Sequence, residues 1–389
     1  MRTWKIPLLL CYISIASSSC AIITPALPII EKTWNVSDAV VSNLISVFLI
    51  GYFLGQLVYA PIANRYGRLF ALRSGLILNL IGILLCFLAV PLHIFWVLVL
   101  ARGMTALGAA SGLCCTFMLL NESLSPERAK HALSFAGISF TAAVGLSVYI
   151  GGLITHYFSW VDCFWVLMIY GAALLLLTVF FQETLITQQP IHPSLIYKNY
   201  AEAFKHKKLM VYSLIVSSVG LFSYTNSVAA PLIAHRVLNL SPAAYGTWFL
   251  LNTMSMVLGS FVAAYVLKKH PADKILKISL WLTLGLIIVL GVLFLVLGLH
   301  SAFCFFMITA LMFFLVSFTY PAAAYIASNA IPDKASASSV MNFIAVLISA
   351  LSVWILGLLP FGIFKSFVLI LVLFFLAMIY LHMRIQAAK

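Results

Sequence analysis

The chain has 389 residues, 64% of them hydrophobic and only 8% charged, against roughly 25% charged in a soluble domain. That composition belongs in lipid and excludes an ordinary soluble enzyme. A net charge of +13 does not describe a nucleic-acid surface either: the basic residues sit in short segments between apolar runs, and all nine acids (Glu31, Asp38, Glu122, Glu127, Asp162, Glu183, Glu202, Asp273, Asp333) fall between those runs or at their ends.

A bilayer-spanning helix needs about 20 apolar residues. By that measure the chain holds twelve, over 6–30, 41–63, 71–90, 94–119, 130–155, 161–181, 209–235, 242–267, 275–297, 300–325, 336–359 and 363–384. The first, behind Arg2 and Lys5, has the flank of a secretory signal. It runs on to Ile30, past a signal core of roughly 7–15 residues, and is read as a helix. Seven cysteines (Cys11, Cys20, Cys86, Cys114, Cys115, Cys163, Cys304) lie in or beside the runs, with no CxxC spacing and no histidine partners. They read as small buried hydrophobes, and neither a metal nor a cofactor is expected.

With the N-terminus inside, cytoplasmic segments collect 18 of the 22 basic residues and outer loops three, Lys32, Arg236 and Lys365. The remaining one, Arg102, lies within the fourth run. This bias puts both termini in the cytoplasm. The longest polar segment, with Pro190, Pro193 and the run His206–Lys208, divides the chain almost in half. The domains expected are therefore an N-terminal six-helix half over 1–181, a cytoplasmic linker over 182–208 and a C-terminal half over 209–389. The halves match: ALPIIEKTWNVS ends at Ser37 and AAPLIAHRVLNLS at Ser241, 204 residues later. Gly55 and Gly259 share that offset, and Asn64-Arg65 falls on Lys268-Lys269. Asn35-Val36-Ser37 also spells a glycosylation sequon, but the repeat favours helix starts, with Ser37 and Ser241 as N-caps and Pro242 at the first helical position.

Between the second and third runs lies GQLVYAPIANRYGRLFAL. Its Gly55, Ala63, Arg65, Gly67 and Arg68 resemble the signature loop of the major facilitator superfamily, with Asn64 where that pattern has an acid. The surroundings of Arg102, LVLARGMTALGAASG, resemble the superfamily's fourth-helix motif through Leu98, Arg102, Gly108 and Ala110. Thr105 and Ala106 replace its Gln and Gly. In the first run AIITPALPII, with Pro25 and Pro28, is similar to the drug:proton antiporter branch, though Ala21 stands at that branch's carboxylate position. The fifth run keeps small residues (Ala143, Ser147, Gly151, Gly152) without the branch's Gly-Pro kink. Helix packing by itself accounts for these.

The resemblance implies an all-α membrane protein of two pseudo-symmetric six-helix halves, with a solute cavity between them near the midplane that opens alternately to each side. It also implies that Gly55, Asn64, Arg65, Gly67 and Arg68 form a conformational-switch loop, whose bland reading is a topology signal. Arg102, the one intramembrane charge, should face the protein interior or water. It either binds solute or braces helix-end carbonyls. Ser18, Tyr52, Gln56, Tyr224, Thr225, Asn226, Asn252 and Tyr320 are polar and lie near mid-span. Asn226, Asn252, Gln56 and Tyr224 are the solute-binding candidates among them, although such residues also glue helices together.

No Asp, Glu or His lies well inside a run, so a coupling proton or other ion has no evident carrier. The same absence argues against a membrane-embedded enzyme, and no Walker Gly-x-x-x-x-Gly-Lys sequence is present for an ATP motor. The reading that results is a secondary transporter of a small neutral or anionic organic solute, such as a carboxylate-bearing siderophore. Efflux of amphipathic drugs is the alternative. The expected setting is a bacterial inner membrane, as a multi-pass monomer with solute and lipid as partners and no nucleic acid.

Overall fold

The computed structural model describes residues 5–125, 128, 132, 135–185, 204–298, 300–331 and 334–387. Most of the expected linker, 186–203, lies outside them. Twelve helices among the described residues are long and apolar enough to cross a membrane, and no strand occurs among these residues. They are α1 (Lys5–Trp34), α2 (Asp38–Tyr66), α3 (Arg68–Leu92), α4 (Phe95–Ser123), α5 (Ala136–Tyr157), α6 (Asp162–Phe180), α7 (Lys207–Arg236), α8 (Pro242–Lys269), α9 (Ala272–Val296), α10 (Ala302–Ser328), α11 (Lys334–Leu358) and α12 (Ile363–Ala387). Each expected run is matched by one helix. The chain divides into two compact units, Met1–Ile191 with Pro242–Thr247, and His192–Ser241 with Trp248–Lys389.

In the first unit α4 packs against both α2 and α3. Lipid is as apolar as leucine, so helices gain little by burying apolar surface and need close backbone approach. Gly51 and Gly55, one turn apart on α2, supply it: a methyl on either would run into the backbone of Gly103 or Leu107 on α4. Where α1, α2, α4 and α6 meet at one end of the unit, Trp34 stands edge-on to Phe95 and Trp160 at 5.9 and 5.3 Å.

The first run is not one unbroken helix. It is helical over Lys5–Ala21, passes through a tight turn at Thr24–Ala26 and resumes over Leu27–Trp34. Pro25 has no backbone N–H to give the preceding turn, and its ring clashes with the carbonyl four residues back, so the ladder breaks there.

Local backbone repeats the sequence duplication. Asn35 and Asn239, 204 residues apart, both take left-handed conformations, with φ of 48° and 53°. Asparagine tolerates this region where most side chains do not. Ser37 occupies the N-cap position but makes no side-chain cap bond. Its carbonyl instead accepts from the amides of Val40 and Val41. In the second unit α10 packs against α7 and α9, and α7 against α11. Gly259 on α8 meets the Ser317 hydroxyl and Phe314 backbone of α10, as Gly55 meets α4 in the first unit.

Candidate functional site

Arg102 is a charged side chain with no exposed surface. One guanidinium nitrogen, Nη2, donates to the Ser19 carbonyl at 2.6 Å. Ser19 lies in the last turn of the first α1 segment, so its carbonyl is among those a helix end leaves without an amide partner. The cation also sits at the negative end of that segment's dipole. The Phe48 ring of α2 lies 4.6 Å from the guanidinium carbon. Nε and Nη1 have no hydrogen-bond partner, and neither has the Ser19 hydroxyl. One arm of Arg102 therefore braces α4 against α1 while two donor positions remain unmet.

In the second unit Asn226 is wholly buried, and both its amide oxygen and its nitrogen lack partners. The Asn252 oxygen accepts from the Thr309 hydroxyl at 3.1 Å, while its nitrogen is unpaired. Phe313, one turn beyond Thr309 on α10, packs with Phe222 at 4.6 Å and Phe249 at 6.3 Å. Phe222 is one turn before Asn226 on α7, and Phe249 nearly one turn before Asn252 on α8. The two asparagines and Thr309 thus gather around one stretch of α10. Tyr224 is half-buried on α7. Gln56, half-buried in the first unit, interacts with the Tyr52 hydroxyl one turn away.

The signature loop is a charge network. Gly67 joins α2 to α3 with φ 114° and ψ 152°, a conformation essentially restricted to glycine. Arg68 grips Glu122 of α4 in a fork, Nη2 at 2.7 Å and Nε at 3.2 Å from both oxygens. Its Nη1 donates to the Ala63 carbonyl at the end of α2, at 2.5 Å. Glu183, just past α6, accepts the backbone amides of Arg68 and Leu69 at 2.8 and 2.9 Å. These are free amides of the first turn of α3, where a carboxylate also meets the favourable end of the helix dipole. Partial burial works against ionising Glu183. The amides of Leu185, Arg68, Leu69 and Thr184 outweigh that and hold its carboxyl below the usual range. Thr184 donates to Glu122 and closes the ring. Arg73 bonds the Thr178 hydroxyl at 3.0 Å. Arg65 is exposed over Tyr66, and Asn64 is half-buried.

Gly151 lies where a methyl would strike the Ile22 carbonyl, at the break in α1. Gly152 faces the backbone of Pro242 and Gly246 in the same compact unit.

Several residues contribute to these sites besides those the sequence singles out. Ser19, Phe48 and Thr309 carry no sequence signal of their role. Glu122 and Glu183 do carry one: counting spans puts both on the side of Arg68, where a buried arginine requires counter-charge. Among the described residues no cluster of His, Cys, Asp or Glu could hold a metal.

The family model described as Major Facilitator Superfamily matches residues 9–353. An uncharacterized transporter of Rickettsia felis is 25% identical over 280 residues, 69% of this chain and 67% of its own. The bicyclomycin resistance protein homolog of Haemophilus influenzae is 23% identical over 275 residues, 67% of this chain and 68% of its own. Multidrug resistance protein MdtL of Escherichia coli is 27% identical over 249 residues, covering 62% and 61%. Among solved structures, a bacterial homolog of the human lysosomal transporter Spinster superposes with a TM-score of 0.79 at 16% identity, over 100% of this chain and 97% of its own. A D-xylose-proton symporter gives 0.75 at 15%, over 96% of each.

Proposed function

The chain belongs to the major facilitator superfamily, and on that premise we propose that it is a secondary transporter of a small neutral or anionic organic solute, working by alternating access. The carrying observation is Arg102, a fully buried cation with two unmet donor positions and no acid beside it. A carboxylate-bearing solute offers the planar pair of oxygens that a guanidinium grips best. Asn226 and Asn252 add an unmet acceptor and unmet donors, suited to hydroxyl, carbonyl or amide groups. Gln56 and Tyr224 are further contacts. Gly55, Asn64, Arg65, Gly67 and Arg68 form the switch loop, and Gly151 and Gly152 provide close helix packing. The two halves are 1–181 and 209–389, joined by 182–208. The protein is a monomer in a bacterial inner membrane with both termini cytoplasmic.

Substrate-induced thermal stabilisation of the purified protein tests this reading, with panels of organic carboxylates and neutral polar metabolites beside cationic drugs. Arg102→Ala is expected to lose the shift given by the stabilising carboxylate. Arg102→Lys is expected to keep part, because lysine holds the charge without the planar fork. An unaltered shift in Arg102→Ala would overturn the binding role and leave Arg102 as a brace.

Drug efflux is the second reading, favoured by two relatives named for resistance. Stabilisation by amphipathic drugs alone, with raised tolerance in a host lacking its own efflux pumps, would establish it over the first.

A further inference from the structure

We propose that the second unit binds anionic phospholipid headgroups at the turn from α8 to α9. Lys268 and Lys269 end α8, Lys274 and Lys277 lie in the first two turns of α9, and all four are exposed. Tyr212 of α7 donates to Asp273 at 3.0 Å and accepts from Gln386 of α12 at 3.4 Å. This brings the end of α12, with exposed Arg384, beside the start of α9. Asp273 is the single acid among the described residues of the second unit, and its Oδ1 is taken by Tyr212. The Arg68–Glu122 ion pair belongs to the first unit.

Depth is what points to lipid. Each of the three helices carries an exposed aromatic one turn toward the membrane from a cation. Tyr265 precedes Lys269 on α8, with the ammonium 4.4 Å from its ring. Tyr380 precedes Arg384 on α12 at 5.2 Å. Trp281 follows Lys277 on α9, which runs the opposite way. These rings are 59%, 52% and 47% exposed. Aromatic rings settle at headgroup level, and long cations reach past them into the phosphate layer. Four lysines are exposed at this turn, and of them Lys269 also donates to the Tyr265 hydroxyl. At the matching turn of the first unit Arg65 and Arg73 are exposed, while Arg68 is buried against Glu122 and Ala63.

The test uses the full chain in phosphatidylcholine bilayers with and without phosphatidylglycerol, reading lipid retained on extraction and the thermal midpoint. Wild type is expected to retain phosphatidylglycerol preferentially and to be stabilised by it, with the gain fading as salt rises. K268Q/K269Q/K274Q/K277Q should bind it roughly a hundredfold or more weakly, each lysine near an anionic surface contributing roughly fivefold. The matching four-arginine variant should bind like wild type, which separates lost charge from lost folding. Equal preference for the two lipids in wild type would overturn the proposal. So would undiminished retention in the glutamine variant, or the same stabilisation from inorganic phosphate alone, which would mark a soluble-anion site.

Discussion

Arg102 and Asn226 are both buried polar residues with unmet atoms, yet their surroundings differ. Arg102 has a helix-end carbonyl and an aromatic face to offset part of its burial. Asn226 has neither, and each unmet buried polar atom costs about 1–3 kcal/mol. A side chain chosen for stability would not be an asparagine here. Asn226→Leu keeps the branching and the number of side-chain heavy atoms and removes both unmet atoms. It is expected to raise the thermal midpoint of the solute-free protein by about 2 °C or more while reducing transport. A fall in midpoint, read by scanning fluorimetry, would mean that the amide is structural glue. Asn252 should respond less favourably to the same change, because its oxygen already holds Thr309.

At the scale of elements, the turn from α2 to α3 is over-determined. Gly67 has a backbone that other residues reach only at about 1–3 kcal/mol. A Cβ there would also stand 2.5 Å from a Glu183 oxygen. Gly67→Val should therefore lower thermal stability by at least that cost and impair transport, without preventing membrane insertion. Normal transport by this variant would reduce the loop to a topology signal. Glu183 supplies a pH dependence. Its carboxyl is held below the ordinary value of 4.5, so the stabilisation it brings is fully present above that value. It is lost as pH falls through the lower folded value. Thermal midpoints of wild type should consequently fall more steeply below about pH 4.5 than those of Glu183→Gln. Parallel curves would show that the contacts with Arg68 and Leu69 contribute nothing through ionisation. In this turn Asn64 stands where the resembling pattern has an acid, while Glu183 and Glu122 meet the α3 amides and Arg68.

At the scale of the molecule, the uneven distribution of 22 basic residues is expected to orient the chain with both termini in the cytoplasm. Fluorescent reporters that mature only in the cytoplasm are expected to light at both termini. A dark C-terminal fusion would require an odd number of spans. The number of helices and the repeat were legible because both depend on one-dimensional properties: twenty-residue apolar length, and Pro, Asn, Ser and Gly recurring at one offset. Asn35 and Asn239 show how directly such residues dictate backbone. By apolar length α1 is continuous, since length does not register the break that Pro25 imposes. Arg102 stood out in the sequence because a charge in an apolar run is rare. Which of its donors would be satisfied depended on Ser19 and Phe48, from α1 and α2, whose proximity no spacing encodes. Likewise Arg68 meets Glu122 and Glu183 across 54 and 115 residues of chain. The sequence by itself determined the spans and their repetition, because hydropathy and local backbone preference act along the chain. Only the tertiary structure decided which polar groups were paired and which were left open, because hydrogen bonds between helices depend on how those helices pack.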